Sequence, residues 1–290
     1  MNKNVSESEP STSRKRPRDQ ESVELESEND VDNPKALSGE ENYTFSDTLM
    51  ALRMMHAQFP QIAKVSIQPF ILRSQLYSSI KDRTQVDREL ESFRRDKVLR
   101  IFKLNTGQDD HAIMFLDDYI KQIDYVTRRM EEKNKNDGTV FDWFKTHVIQ
   151  LKLDTSISHQ ELCQLLSLGG TVEEEHISKL ISAGLIFLCL YSNYGRAILF
   201  KIRQLIDPDM YWFSIPNIGS VLKGLSQGRK ELLSILNRRK YKEMILASLE
   251  KKRLRLSPLD MRFHLRDLIG SGRLKTIQSP SGLIVRIAKD

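Results

Sequence analysis

Seven cations, Lys223, Arg229, Lys230, Arg238, Arg239, Lys240 and Lys242, interleave with apolar residues at helical spacing within one short stretch of the chain. That spacing lets an apolar side pack inward while the charged heads project outward. A cation seated on a phosphate releases condensed counterions, so the chemistry on offer is salt-sensitive contact with a nucleic-acid backbone. Such contacts place a duplex without reading its bases. No Asn, Gln or Arg set is spaced for base readout, so little sequence preference is expected. Arg253, Arg255, Arg273, Lys275 and Arg286 widen the set, although each alone reads as an ordinary surface residue. The run Tyr211-Trp212-Phe213 has the faces to stack on bases, but in a strand with alternating sides two of the three belong to the core.

Catalysis and metal binding find no comparable constellation. The six histidines, His56, His111, His147, His159, His176 and His264, include no pair four residues apart and no Glu set between two of them. A zinc hydrolase motif is therefore missing. Glycine-rich phosphate loops and the nucleophile elbow are also lacking. His264-Leu265-Arg266-Asp267-Leu268 superficially resembles a kinase catalytic loop, but an extra Leu sits inside it and no Asn follows at the metal-binding offset. It reads as a helix face. Cys163 and Cys189 lie in apolar segments at a spacing that suits neither a disulfide framework nor a zinc site, so reduced, buried thiols are expected. No cofactor and no metal are expected.

The net charge of +6 over 290 residues is unevenly spread. Residues 1–43 carry 6 Lys or Arg against 11 Asp or Glu, residues 44–200 carry 20 against 20, and residues 201–290 carry 19 against 8. A one-signed field on the last unit attracts polyanions. No window is apolar enough to span a membrane, and the N-terminus lacks the form of a signal peptide. Residues 1–43 are rich in Ser, Glu, Asp and Asn and too poor in aliphatic clusters to offset ordering entropy, so a disordered tail is expected. Within it, Arg14, Lys15, Arg16 and Arg18 form a compact basic cluster of the kind read by nuclear import receptors.

The elements that must hold the cations follow from periodicity. Leu49, Leu52, Met55 and Phe59 predict a helix ended by Pro60, and Ile71, Leu72, Leu76 and Ile80 predict a second. A third carries Val86, Leu90 and Phe93 inward with Arg83, Arg88, Arg94, Arg95 and Lys97 opposite. Strand-like runs at 98–104 and 111–115 flank a turn composition, and a long helix covers 117–133. Three helices and a hairpin is the order of a winged helix. The order recurs with helices at 141–151, 158–168 and 171–183, the last with Val172, Ile177, Leu180 and Ile181 facing inward and Glu173 to Glu175 in its first turn. Strands at 185–191 and 211–215 follow. A third round begins after Pro216, with short helical faces on Ile218 to Leu225 and on Leu232 to Leu236. Tyr241, Met244, Ile245 and Leu249 continue the helical pattern, then come a helix at 261–269 and a hairpin of 274–277 with 283–287. The expected fold is mainly α with small β-hairpins (α+β). It comprises three tandem winged-helix domains, 44–137, 138–215 and 216–290, the last one basic.

Ile71-Leu72-Arg73-Ser74-Gln75-Leu76-Tyr77, then Asp82-Arg83-Thr84 and Asp87-Arg88-Glu89-Leu90, closely resemble the signature of the serine/threonine-protein kinase 19 family. Ser182-Ala183-Gly184-Leu185, Gly228-Arg229-Lys230 through Leu236, Arg239-Lys240-Tyr241-Lys242-Glu243 and Asp267-Leu268-Ile269-Gly270 look like the same family, so the likeness covers roughly residues 45–290. The resemblance implies three winged-helix domains and, despite the family's name, no kinase fold. It also implies a nuclear, chromatin-associated protein that binds double-stranded DNA and acts in transcription-coupled nucleotide excision repair beside the stalled polymerase. DNA contact would fall on basic residues of the third domain, matching Lys223, Arg229, Lys230, Arg239 and Lys240. This chain departs from the pattern by about fifteen extra apolar residues around 187–206.

The leading expectation is a non-enzymatic scaffold in the nucleus whose partners are double-stranded DNA and proteins of the transcription and repair machinery, with no membrane. Two alternatives stay open at this point: a protein kinase, as the family name says, and a module that binds only proteins. A homodimer is also left open.

Overall fold

One element order, helix–strand–helix–helix–strand–strand, is written three times along the chain. In the first repeat α1 (Asp47–Ala57), β1 (Ile71–Leu72), α2 (Arg73–Ser79), α3 (Arg83–Arg95), β2 (Leu99–Lys103) and β3 (His111–Phe115) lead into a long connecting helix, α4 (Leu116–Asn134). The second comprises α5 (Thr139–Trp143), which widens into a π-helix over Phe144–Ile149, then β4 (Ser156–Ser158), α6 (His159–Leu166), α7 (Glu174–Ser182), β5 (Ile186–Leu188) and β6 (Met210–Phe213). The third holds α8 (Ile218–Asn237), β7 (Glu243–Ile245), α9 (Leu246–Glu250), α10 (Met261–Gly270), β8 (Leu274–Ser279) and β9 (Gly282–Ile287). The computed structural model describes residues 46–62, 65–107, 110–134, 138–188 and 210–288, all within a compact unit that spans residues 40–290.

Each repeat closes an antiparallel three-stranded sheet with its last strand in the middle: β1-β3-β2, β4-β6-β5 and β7-β9-β8. The register pairs Ile71 with Ile113 and Ile101 with Ile113 in the first sheet, and Met244 with Val285 and Thr276 with Val285 in the third. This is winged-helix architecture, with the hairpin β8–β9 as the third repeat's wing.

Local chemistry explains the helix starts. Asp82 caps α3, its Oδ1 accepting from the amides of Thr84 at 2.9 Å and Gln85 at 3.1 Å. Ser158 caps α6 and Asp260 caps α10 in the same way. These contacts satisfy amides that the first helical turn leaves unpaired. On α3 the buried residues are Val86, Leu90 and Phe93, one stripe at helical spacing. Burying each contributes roughly 1.5–3 kcal/mol.

Four sequence expectations need correction. The short strands β1, β4 and β7 were not expected, because two or three residues are too few to display a period of two. Met244 and Ile245 therefore lie in a strand rather than in a continuing helix. The two apolar faces at 218–225 and 232–236 belong to a single 20-residue helix, α8. Ile181 points to solvent at 42% exposure, while Ile177 and Leu180 make the buried stripe of α7. The tail expected at 1–43, with its basic cluster, lies outside the described residues, as does most of the expected insert. Its first two residues, Phe187 and Leu188, finish β5 with exposed side chains.

One apolar core passes through all three repeats, taking in Phe102 and Tyr119, then Phe144 and Phe213, then Phe263. Arg100 ties the first repeat to the second. Its guanidinium is almost wholly buried, lies 4.2 Å from the centre of the Phe213 ring, and donates to the carbonyls of Ile149 at 3.3 Å and Lys152 at 2.8 Å. A cation suits carbonyls left open at a helix end. Burial nonetheless pushes its pKa down to about 10.

Candidate nucleic-acid interface

Several of the residues that carry the family likeness, Ser74, Gln75, Arg83, Arg229, Asp267 and Gly270, meet at one seam between the first and third repeats. The Gln75 side chain accepts from its own helix start at the Leu72 amide (2.9 Å) and donates across the seam to the Phe263 carbonyl (3.2 Å). Ser74 Oγ donates to Asp267 Oδ1 at 2.7 Å, and Arg83 donates to the Gly270 carbonyl at 3.0 Å. The Arg83 guanidinium also lies 5.1 Å from the centre of the Tyr77 ring. Gly270 is required by close approach: a Cβ there would sit 1.6 Å from the backbone oxygen of Ser74. Phe59, Phe70 and Phe263 fill the apolar side, with ring centres 5.2–6.1 Å apart.

At the centre of this seam lies Arg229. Its Nε and Nη2 donate to the two oxygens of Asp267 at 2.6 and 2.9 Å, and its Nη1 and Nη2 donate to Asp110 at 2.6 and 3.2 Å. Asp267 is fully buried, and Arg229 is only 5% exposed. Burial works against the charge of Arg229, but its hydrogen bonds to both carboxylates outweigh it and hold the guanidinium above its ordinary pKa. Burial likewise opposes the charge on Asp110, and Arg229 together with Thr106 overcomes it, keeping the carboxyl below its usual range. Arg229 is therefore corrected from a surface cation to an internal clamp. The helix run that superficially resembles a kinase loop is equally internal: His264 and Leu265 are buried beside Asp267. Burial pushes the His264 pKa down to about 4, and its Nε2 lies 2.8 Å from Ser257 Oγ. Gly228 makes room for that imidazole, since a Cβ would approach it to 2.4 Å.

The other six expected cations are on the surface. Lys223 and Lys230 are exposed on α8, seven residues apart and so on one face. Arg238, Arg239, Lys240 and Lys242 are exposed in the short loop between α8 and β7. Of the wider set, Arg253, Arg255, Arg273 and Lys275 are exposed, and Arg286 is tied to Glu243, with its Nε 2.7 Å from Oε2.

The third helix of a winged helix is the one that commonly enters a groove. Here α10 buries Met261, Phe263, His264, Leu265, Asp267, Leu268 and Gly270, and its outer side is seated on α2. It is not free to enter a groove. In the second repeat α7 begins with exposed Glu173, Glu174 and Glu175, which repel phosphate. In the first, α3 exposes Arg88 and Arg95, but Arg94 is turned to Glu91 and to the Leu153 carbonyl. The aromatic run in β6 resolves as alternation requires: Tyr211 and Phe213 are buried, and Trp212 lies outward with the Lys103 ammonium 4.4 Å from its ring centre.

Among the described residues no group of three or more His, Cys, Asp or Glu is placed to hold a metal ion, and no helix is long and apolar enough to cross a membrane.

Three winged-helix repeats fused through a shared core and a buried ion-pair clamp define a tandem winged-helix protein. Residues 40–287 match the family described as inactive serine-threonine protein kinase 19, and the chain belongs to that family. The chain is 26% identical over 274 residues to the Dictyostelium discoideum protein named winged helix repair factor 1, covering 84% of this chain and 65% of that protein, slightly under two thirds of its length. The Homo sapiens protein of the same name is 26% identical over 223 residues, or 77% of this chain and 78% of the relative. The Xenopus laevis protein matches at 26% over 244 residues, covering 82% and 83%. The family is described as an inactive kinase, and the kinase alternative falls.

Proposed function

We propose that the protein is a nuclear, double-stranded-DNA-binding scaffold of DNA repair, acting in the transcription-coupled branch of nucleotide excision repair. Its three repeats would serve as domains 44–137, 138–215 and 216–290. The observation that carries the DNA reading is the set of six exposed cations of the third repeat, Lys223 and Lys230 on α8 and Arg238, Arg239, Lys240 and Lys242 in the loop after it. Repair is supported by the name shared by the relatives. Import would use Arg14, Lys15, Arg16 and Arg18.

The duplex would lie along α8 and the loop after it, held through its phosphates with little base preference. The second repeat suits a protein instead. Its α7 is acidic, and its exposed Phe187 borders a groove of about 230 Å³ that it shares with Phe102 and Leu104 of the first repeat and Leu222 of the third. Proteins of the stalled transcription and repair assembly are the partners this reading assigns to it.

The test is binding of a fluorescent mixed-sequence duplex to the full chain and to a Lys223→Glu/Arg239→Glu/Lys240→Glu variant across a salt series. Affinity of the unmutated chain should fall linearly with salt on logarithmic axes. The variant should bind at least tenfold more weakly, with a salt slope shallower by about 2–3. No binding by the unmutated chain at low salt would remove the DNA reading and leave a protein-only module.

A further inference from the structure

Tyr241 is the most exposed of the large hydrophobic side chains described, at 66%. A single exposed aromatic ring needs no explanation. Three features set this one apart. It stands inside the densest run of cations, with Arg238, Arg239 and Lys240 before it and Lys242 after it, all exposed. The Lys240 ammonium lies 5.4 Å from the centre of its ring. The loop that carries it is fixed at both ends: the Arg239 amide donates to the Leu236 carbonyl at 3.0 Å, the Lys242 amide donates to the Arg239 carbonyl at 3.0 Å, and the Ile287 amide on the central strand donates to the Lys242 carbonyl at 3.2 Å. Lys242 is held at φ 53°, a left-handed conformation that a β-carbon disfavours. The backbone thus turns sharply where the ring is presented, with a lysine where glycine would be more comfortable.

An aromatic face ringed by cations on a pinned loop is the combination with which proteins hold unpaired bases: the ring stacks on a base and the cations take the adjoining phosphates. Inside an intact duplex both faces of every base are already stacked, so the ring gains a partner only where bases are unpaired or at a duplex end. We propose that Tyr241 is a base-stacking platform, so that the α8–β7 loop binds DNA with unpaired bases in preference to intact duplex. This rests on the DNA reading above and adds to it a preference that a purely phosphate-binding surface lacks.

The test uses the full chain and two probes, both with their ends blocked by streptavidin: a mixed-sequence duplex, and the same duplex opened by a short unpaired bubble carrying 2-aminopurine. The unmutated protein should bind the bubble more tightly and quench its fluorescence through stacking. Tyr241→Ala should lose about tenfold in bubble affinity, together with the quenching. Tyr241→Phe should keep both. All three proteins should bind intact duplex equally and with the same salt slope, because no cation has changed. The ring is exposed, so the Ala variant should melt with the unmutated protein, which a thermal scan checks. Equal binding of bubble and duplex, or an Ala variant that still quenches, overturns the platform while leaving duplex binding in place. If neither probe binds the unmutated protein, the DNA reading itself fails and the platform with it.

Discussion

Arg229 and Lys230 are neighbours in sequence and opposites in structure. Arg229 turns inward to two carboxylates at the seam of α2 and α10, while Lys230 turns outward with the cations of α8 and the α8–β7 loop. The seam spends its charge on geometry: the Arg229 donors that meet Asp110 reach from the third repeat to the first, and those that meet Asp267 tie α8 to α10 and hold the carboxylate that takes the Ser74 hydroxyl. The loop leaves its charge uncommitted. One basic stretch thus divides into a part that makes the molecule rigid and a part that remains available to a polyanion, and substitutions should separate the two.

The largest effect should come from Arg229→Met. Removing the guanidinium leaves the fully buried Asp267 and the partly exposed Asp110 without their cation, which should cost about 3–5 kcal/mol of unfolding free energy. Denaturant titration should therefore show a collapse of the midpoint. A change under 1 kcal/mol would mean that the clamp is not what orients the repeats. Gly270→Ala should be damaging for a steric reason, with a loss of about 3 kcal/mol, because the atom it meets is backbone and cannot swing away.

Acid should weaken the same seam. His264 is held near pKa 4 in the fold against about 6.5 when unfolded. Between these values the unfolded chain binds a proton that the folded chain does not. Stability is therefore highest above about pH 6.5 and declines as pH falls toward 4, by up to about 3 kcal/mol. His264→Gln, which can keep a nitrogen near Ser257, should flatten that part of the pH profile. A profile unchanged by the substitution would place the acid sensitivity elsewhere.

Charge reversal at Lys223, Arg239 and Lys240 should behave in the opposite sense, leaving unfolding free energy within about 0.5 kcal/mol of the parent while duplex affinity falls. Smallest of all, Lys242→Gly should release the left-handed strain and change stability by no more than about 1 kcal/mol. A marked destabilisation would show that the lysine side chain supports the loop.

The same comparison shows how far the sequence could be read. The helix order and the last wing were legible because Val86, Leu90 and Phe93 mark a helical stripe and Gln278 to Gly282 carries turn residues. The exposed cations on α8 and in its loop were legible as a cluster because charge is local information. Arg229 was not, since its partners lie 119 and 38 residues away. A signal did exist: Asp267 stands within an apolar helix face between Leu265 and Leu268, where a buried carboxylate demands a cation. α8 reads as two pieces because the run from Ser226 to Glu231 separates Leu225 from Leu232. Gly224 and Gly228 are where Pro258 and His264 press against the helix. Tyr241 fits a helical stripe by its spacing, and only the loop after α8 places it in solvent.

The most direct measurement is amide hydrogen exchange on the full chain with and without a mixed-sequence duplex. New protection should appear at residues 238–242 and along the Lys223–Lys230 side of α8, with none added at residues 263–270 or 72–77, which are already sealed in the seam. Protection concentrated on α3 or α7, or at the seam itself, with residues 238–242 unchanged, would contradict the division of the basic stretch into a clamp and a contact surface.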